Sequence, residues 1–136
     1  MANVKKVSYF KMMVPNRPGQ GARALGELQK AGINLTAFSG FPNRGGAQMD
    51  FIPAKPAVFR KLARKNKWKI AGPKRAFLVS GADRVGAGAN LMAKLAAKRI
   101  NVIAIDAVCA GSGRYGAILW VSPTQYGKAA RALRAR

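Results

Sequence analysis

The chain has 136 residues, of which 49% are hydrophobic, and this length allows one ordinary hydrophobic core or two very small ones. It carries 25 Lys and Arg residues against 4 acidic residues, which gives a net charge of +21, and it contains no histidine. This inventory disfavours His-based catalytic triads, most catalytic zinc sites and paired-carboxylate chemistry, so we expect a non-enzyme without a cofactor or a metal.

The first half of the chain alternates between strand and helix patterns. Apolar residues at helical spacing follow the segment after Pro15, and Gly32 is typical of a residue that ends a helix. Pro56 stands where a second helix can begin. The predicted elements, in chain order, are strand Tyr9–Val14, helix Gly19–Ala31, strand Ile33–Phe41, a turn at Pro42–Gly46, strand Ala47–Ile52, a helix from Pro56 and a short strand Trp68–Ala71.

The second half repeats the first with an offset of 67 residues and without a gap. The matched pairs include Asn16 with Asp83, Gly19 with Gly86, Ile33-Asn34-Leu35 with Ile100-Asn101-Val102, and Pro56 with Pro123. We therefore predict an α+β protein with two domains, residues 1–73 and 74–136. Each domain has the ferredoxin-like order βαββαβ, with an antiparallel sheet and its helices on one face.

The second copy is shorter than the first. Its predicted elements are strand Arg75–Ser80, helix Gly86–Lys98, strand Ile100–Ala110, strand Tyr115–Val121 and helix Thr124–Leu133. The sequence stops soon after this helix, so the second copy lacks its last strand. An unpaired sheet edge would result, and a neighbouring domain or a second chain could cover it. This arrangement favours a homodimer.

The segment between the first strand and the first helix is the candidate binding site in each copy. A helix N-terminus presents unpaired N–H groups to a carboxylate or phosphate. Gly19 and Gly21 allow a ligand to approach the backbone, and Asn16 supplies a donor and an acceptor. Asp83 could accept a hydrogen bond from an ammonium group. Alternatively, Asn16 and Asp83 are ordinary helix N-caps and the glycines serve only close packing.

Asn-Arg-Pro-Gly before a helix, followed by Ala-Gly-Ile-Asn-Leu, resembles an ACT domain, particularly the serine-sensing regulatory domain of bacterial phosphoglycerate dehydrogenase. The resemblance covers nearly the whole chain twice, with Val85 where the family prefers proline. It implies a ferredoxin-like fold, pairing of domains and amino-acid binding at a domain or dimer interface. It also implies ligand contacts from the loop asparagine and from the asparagine that begins the second strand. These are Asn16 and Asn34, with Asp83 and Asn101 as counterparts.

One position departs from the serine-sensing pattern. Those proteins have a histidine two residues before the loop asparagine, where this sequence has Val14 and Gly81. A more apolar site would suit a branched or aromatic amino acid, or no ligand. The candidate ligand-binding residues are Asn16, Arg17, Pro18, Gly19, Gln20, Gly21 and Asn34 in the first copy and Asp83, Arg84, Gly86, Ala87, Gly88 and Asn101 in the second.

Basic residues cluster opposite the apolar face of the second helix of each copy. A solvated helix face is the default interpretation, and a surface for an acidic protein or a nucleic acid is the alternative. The aromatic residues lack the spacing of an RNA-binding sheet and are predicted to be core or packing residues. The basic clusters are Arg60, Lys61, Arg64 and Lys65 and then Lys128, Arg131 and Arg134, and the aromatic residues are Tyr9, Phe38, Phe41, Phe51, Trp68 and Trp120.

The sequence therefore predicts a regulatory, allosteric protein that binds an amino acid. A basic nucleic-acid-binding protein on the same scaffold is the alternative, and a degenerate pair that only dimerises is a third hypothesis.

Cys109 lies in an apolar run and is predicted to be a packed core thiol, because a nucleophilic cysteine needs a basic partner. No membrane span and no signal peptide are recognisable, so we expect a cytoplasmic location.

Overall fold

The computed structural model describes residues 2–136 and contains six strands and four α-helices within that range. No helix in this range is long and apolar enough to cross a membrane. The elements are β1 Asn3–Pro15, α1 Gln20–Lys30, β2 Leu35–Asn43, β3 Gly46–Pro53, α2 Pro56–Lys65, β4 Ile70–Ala82, α3 Ala87–Ala96, β5 Val102–Cys109, β6 Arg114–Val121 and α4 Tyr126–Ala132, the last preceded by a 3₁₀ turn at Pro123–Gln125.

The chain forms two compact units, each with the strand order of a ferredoxin-like sheet. The first unit consists of residues 8–74 and has the order β2–β3–β1–β4. The second unit combines residues 2–7 with residues 75–136 and has the order β1–β4–β6–β5. Strands β1 and β4 therefore contribute residues to both units.

The fourth strand of the second unit comes from the N-terminal part of β1. Val4 is buried in the core of the second unit, with only 6% of its surface exposed. The backbone N–H of Lys6 donates to the carbonyl of Arg136 at 2.8 Å, and the N–H of Arg136 donates to the carbonyl of Val4 at 3.0 Å. Residues from the N-terminal part of the same chain therefore occupy the place of a fourth strand in the second unit. The predicted division at residues 73 and 74 differs from these units because it assigned residues 2–7 to the first copy.

The 67-residue repeat is visible in the backbone as well as in the sequence. Positive φ angles recur at matched positions, and the bulge between Leu35 and Ala37 of β2 recurs between Val102 and Ala104 of β5. Duplicated turns, and not only duplicated apolar spacing, therefore define the repeat. The matched positive-φ pairs are Gly19 with Gly86, Gly32 with Arg99, Arg44 with Gly111, Gly45 with Ser112, and Lys67 with Arg134.

The repeat does need one local shift, which the gapless alignment missed. Phe10 of β1 pairs with Phe51 of β3. The residues that match them in the second copy are Phe77 and Ile118, but Phe77 pairs with Leu119. The hairpin of the first unit turns through the two residues between Asn43 and Gly46, and the turn between β5 and β6 is longer. β6 is thus displaced by one residue, and the register is restored before α4.

Each unit has its own hydrophobic core between its sheet and its helices. In the first unit the rings of Phe10 and Phe59 stack at 4.9 Å between centroids. In the second unit the matched rings of Phe77 and Tyr126 stack at 4.4 Å, and the Tyr126 hydroxyl donates to the carbonyl of Ala76 at 2.8 Å. In both cores, therefore, an aromatic pair at matched positions packs the second helix of each copy against the first strand of that copy.

The predicted short strand Trp68–Ala71 and the predicted strand Arg75–Ser80 are parts of one 13-residue strand, β4. Within the first unit, β4 approaches β1 closely at Gly72, which has a φ of 132°. A Cβ atom on Gly72 would lie 2.8 Å from the carbonyl oxygen of Tyr9. Only glycine fits here without strain.

The burial of Val4 can be tested by truncating its side chain. We expect Val4→Ala to lower the free energy of unfolding by about 1–3 kcal/mol, because two buried methyl groups are lost from the second core. Val85→Ala is the matched control, since Val85 is fully exposed and its truncation should change stability by less than about 0.5 kcal/mol. Urea unfolding measures both values, and equal effects of the two variants would contradict the placement of β1.

Candidate functional site

The strand-to-helix loop has the same conformation in both units. Gly19 and Gly86 occupy the N-cap positions of α1 and α3 with φ angles of 89° and 88°, and no side chain caps either helix. Asn16 and Asp83 are therefore not helix N-caps, which removes the alternative interpretation of these two residues. The first N–H groups of both helices remain without a side-chain acceptor.

In the second unit the loop is attached to the hairpin between β5 and β6. The backbone N–H of Asp83 donates to the carbonyl of Gly113 at 2.9 Å. Hydrogen bonding between the Asp83 carboxylate and Cys109 raises the pKa of that thiol. Cys109 is exposed, so the prediction of a packed core thiol was wrong: β5 is an edge strand, and its apolar run does not face a core. The raised pKa makes the thiol a poorer nucleophile.

The two asparagines that the resemblance implies as ligand contacts are not close to each other within a unit. Asn16 precedes α1, whereas Asn34 follows it, and the 11 residues of this helix span about 16 Å. Asp83 and Asn101 are separated by α3 in the same way. Asn34 is exposed, and its carbonyl accepts from the N–H of Ala54 at 3.0 Å.

A cleft of about 560 Å³, the first cleft, lies beside the start of α1 in the first unit. The end of β1 and one face of α1 form two of its walls, and the segment between α2 and β4 forms the third. Of the predicted residues in the first copy, only Gln20 lines it. The lining residues are Met12, Met13, Val14, Pro15, Gln20, Arg23, Ala24, Glu27, Asn66, Lys67, Trp68 and Lys69.

A second cleft of about 450 Å³ lies at the equivalent place in the second unit. Seven of its lining residues match residues of the first cleft at the 67-residue offset: Gly81, Ala82, Ala87, Asn90, Leu91, Lys94 and Leu133. The predicted residues Arg84 and Ala87 line this cleft. The remaining candidates, Arg17, Pro18, Gly21, Gly86 and Gly88 among them, line neither cleft.

Arg23 and Glu27 place opposite charges on one wall of the first cleft, four residues apart and hence on one face of α1. Glu27 also pairs with Lys30 at 3.7 Å, a contact too exposed to hold the carboxylate firmly. Asn66 also lines this cleft, and its side-chain nitrogen is buried and has no hydrogen-bond partner within residues 2–136. In the sequence, the spacing of Arg23 and Glu27 by four residues within a predicted helix is the signal that could have indicated this cleft wall.

A chain of polar side chains lies on the sheet face opposite the helices of the first unit. The Asn43 amide donates to Gln48 at 2.8 Å, and Gln48 donates to a carboxylate oxygen of Asp50 at 3.0 Å. Asp50 is only 5% exposed. Burial raises the pKa of Asp50, although the hydrogen bond from Gln48 and the charges of Lys11 and Lys74 oppose that rise.

The aromatic residues divide between core and surface. Phe51 is fully buried, as predicted, whereas Phe38 and Phe41 of β2 remain 49% and 43% exposed. Their register partners, Phe51 and Gln48, lie on opposite faces of the sheet, so these two rings do not form one stacking surface.

Within residues 2–136, no group of three His, Cys, Asp or Glu side chains is placed to hold a metal ion.

Solved structures with this architecture exist. Protein BT0572 from Bacteroides thetaiotaomicron aligns with a TM-score of 0.81 at 20% identity, over 98% of this chain and 88% of that protein. The regulatory subunit of aspartate kinase from Thermus thermophilus, in its ligand-free form, aligns with a TM-score of 0.63 at 16% identity, over 98% of this chain and 94% of that subunit. The corresponding subunit from Thermus flavus has a TM-score of 0.61 at 19% identity, with the same coverage of both chains.

These similarities confirm the predicted fold, an α+β chain with two ferredoxin-like units. No family model matches the sequence, and no curated protein is significantly similar to it.

The raised pKa of Asp50 has a defined consequence for stability. The folded state favours the protonated carboxyl group, so its contribution to stability is largest at low pH and is lost as the pH rises from the ordinary aspartate pKa to the raised value. We expect Asp50→Asn to be more stable than the parent protein at pH 7, and this difference to shrink towards pH 3. Urea unfolding between pH 3 and pH 7 measures it, and a parent protein that is the more stable at pH 7 would contradict the assignment.

Proposed function

We propose that the chain is a non-catalytic regulatory protein that binds a free amino acid in the first cleft. The observation that carries this proposal is the presence of a guanidinium and a carboxylate, Arg23 and Glu27, on the same cleft wall. An amino acid carries the complementary charges on one carbon atom. Arg23 would bind the ligand carboxylate, which also suits the uncapped N-terminus of α1, and Glu27 would accept from the ammonium group.

The remainder of the cleft favours a ligand with an apolar side chain. Met12, Val14, Ala24 and Trp68 supply hydrophobic walls, and the volume of about 560 Å³ falls within the range of small-molecule sites. A branched or aromatic amino acid fits these walls better than serine. Of the predicted loop residues, the site therefore includes Gln20 and leaves out Asn16–Gly19.

A thermal-shift screen of the twenty amino acids at millimolar concentration tests this proposal. A bound ligand at 100 times its Kd should stabilise the protein by about 2.7 kcal/mol and raise its melting temperature. We expect Glu27→Gln and Arg23→Gln to abolish the shift, because each removes one of the two charges that recognise the ligand.

Arg60→Gln is the control, since it removes a cation from an exposed position on α2, outside the first cleft. It should leave the shift unchanged. If no amino acid stabilises the parent protein, or if Glu27→Gln still responds fully, the assignment of the cleft is wrong.

We further propose that the protein is a homodimer that pairs through β5. This edge strand exposes Ile103 and Val108 by 61% and 66%, although exposed edges are normally protected by charged residues. Residues 100–113 contain no Lys or Arg, and their one charged residue is Asp106. Two copies of a chain with a net charge of +21 would repel each other least at this segment.

Light scattering of the purified protein tests the assembly. We expect a dimer, and we expect Ile103→Lys to convert it to a monomer because a charge would enter an apolar strand pairing. Val85→Lys adds the same charge at a fully exposed loop position and should remain dimeric. A parent protein that is monomeric at micromolar concentration would refute the pairing.

A further inference from the structure

A separate cavity in the second unit is lined by cations and is not explained by amino-acid binding. It has a volume of about 820 Å³, and no Asp or Glu side chain lines it. Four of its lining residues are basic, and they come from three different parts of the chain. The full lining is Ala2, Asn3, Val4, Lys5, Ser80, Lys94, Ala132, Leu133, Arg134 and Arg136. We call it the cationic cavity.

Backbone hydrogen bonds hold two of these cations, Lys5 and Arg136, near each other. The hydrogen bonds from Lys6 to Arg136 and from Arg136 to Val4 keep the segment around Lys5 beside Arg136. Arg134 has a φ of 53° and follows α4, and Lys94 lies in the last turn of α3. The ion pair found among residues 2–136 is Glu27–Lys30, so no carboxylate side chain neutralises the cations of the cavity.

The cationic cavity adjoins the second cleft, because Ala2, Val4, Lys94 and Leu133 line both. The second cleft adds Arg84 and the ring of Tyr115. Lys94 therefore lies at the boundary between the cationic cavity and the second cleft.

The first and second clefts differ in charge at matched positions of the repeat. Lys94 occupies the position of Glu27, and Asn90 occupies the position of Arg23. The second unit thus lacks the carboxylate that would accept from an ammonium group and has a cation in its place. The cationic cavity likewise offers several cations to an anionic ligand and no carboxylate side chain to an ammonium group.

We propose that the cationic cavity binds a small anion that carries two or more linked phosphate groups. Arg134 and Arg136 can each make paired hydrogen bonds to phosphate oxygens, and Lys5 and Lys94 add point charges. The concave shape and the volume of about 820 Å³ favour a small molecule over a nucleic-acid backbone, which would follow an extended surface. This site lies in a different unit from the proposed amino-acid site and does not depend on it.

Isothermal titration calorimetry of the full chain with inorganic tripolyphosphate at 0.15 M KCl, about physiological ionic strength, tests the proposal. We expect saturable binding to one site per chain. Lys94→Glu restores the charge present at the matched position of the first unit and should weaken binding by about tenfold or more. Lys5→Gln should weaken it in the same direction without reversing a charge.

Lys61→Glu is the matched control, because it changes the net charge equally at an exposed position on α2 in the first unit. Its affinity should stay within about twofold of the parent value, as expected for a charge outside the site. Equal weakening by Lys61→Glu and Lys94→Glu, or an absence of binding by the parent protein, would overturn the proposal. So would tighter binding of a single-stranded RNA oligonucleotide that Lys94→Glu does not affect.

The two ligand sites can be tested in one set of variants. Glu27→Gln should leave tripolyphosphate binding unchanged, and Lys94→Glu should leave the amino-acid thermal shift unchanged. Failure of one site therefore does not imply failure of the other.

Discussion

The second unit depends on the N-terminal part of β1, which lies beside β4 as the fourth strand of its sheet. A ferredoxin-like sheet has four strands, and residues 75–136 supply three strands of this one, β4, β5 and β6. Val4 fills the resulting place in the core, and its carbonyl accepts from Arg136. The first unit is consequently inserted within the second along the chain. Neither unit corresponds to a continuous half of the sequence, and the second unit needs residues from both sides of the first.

The duplicated units keep the same backbone and differ in surface charge. The left-handed N-cap glycines, the turns and the stacked aromatic pair recur because each is needed to close a core. Glu27 and Lys94 lie on helix faces away from those cores, so the fold places little restriction on their charge. The duplication could therefore produce two clefts of the same shape whose chemistry differs, one with both signs of charge and one with cations alone.

Charge is distributed unevenly over this strongly basic chain. With 25 basic and 4 acidic residues, most cations have no carboxylate partner, and their mutual repulsion favours any bound anion. The segment 100–113 has no cation at all, whereas four cations line one cavity of the second unit. An ordinary solvated surface would not require such a contrast. The contrast in charge is consistent with the proposals that one region pairs subunits and another binds an anionic ligand.

Local signals in the sequence determined the element order, the duplication and the ferredoxin-like fold. Apolar spacing, Gly32 at a helix end and Pro56 at a helix start act over a few residues, and they can be recognised without knowing what packs against them. The offset of 67 residues then placed Phe59 and Tyr126 at equivalent positions, which both cores confirm.

Only the tertiary structure decided how β1 completes the second unit and where the clefts lie. The pairing of Val4 with Arg136 joins residues from almost opposite ends of the chain, and no local pattern specifies such a contact. Cys109 lies in an apolar run that resembles a buried strand, yet all the residues of β5 after Val102 are exposed, Cys109 among them. The first cleft likewise depends on three segments that meet in space. Periodicity is a property of neighbouring residues, whereas edges and cavities are properties of distant residues brought together.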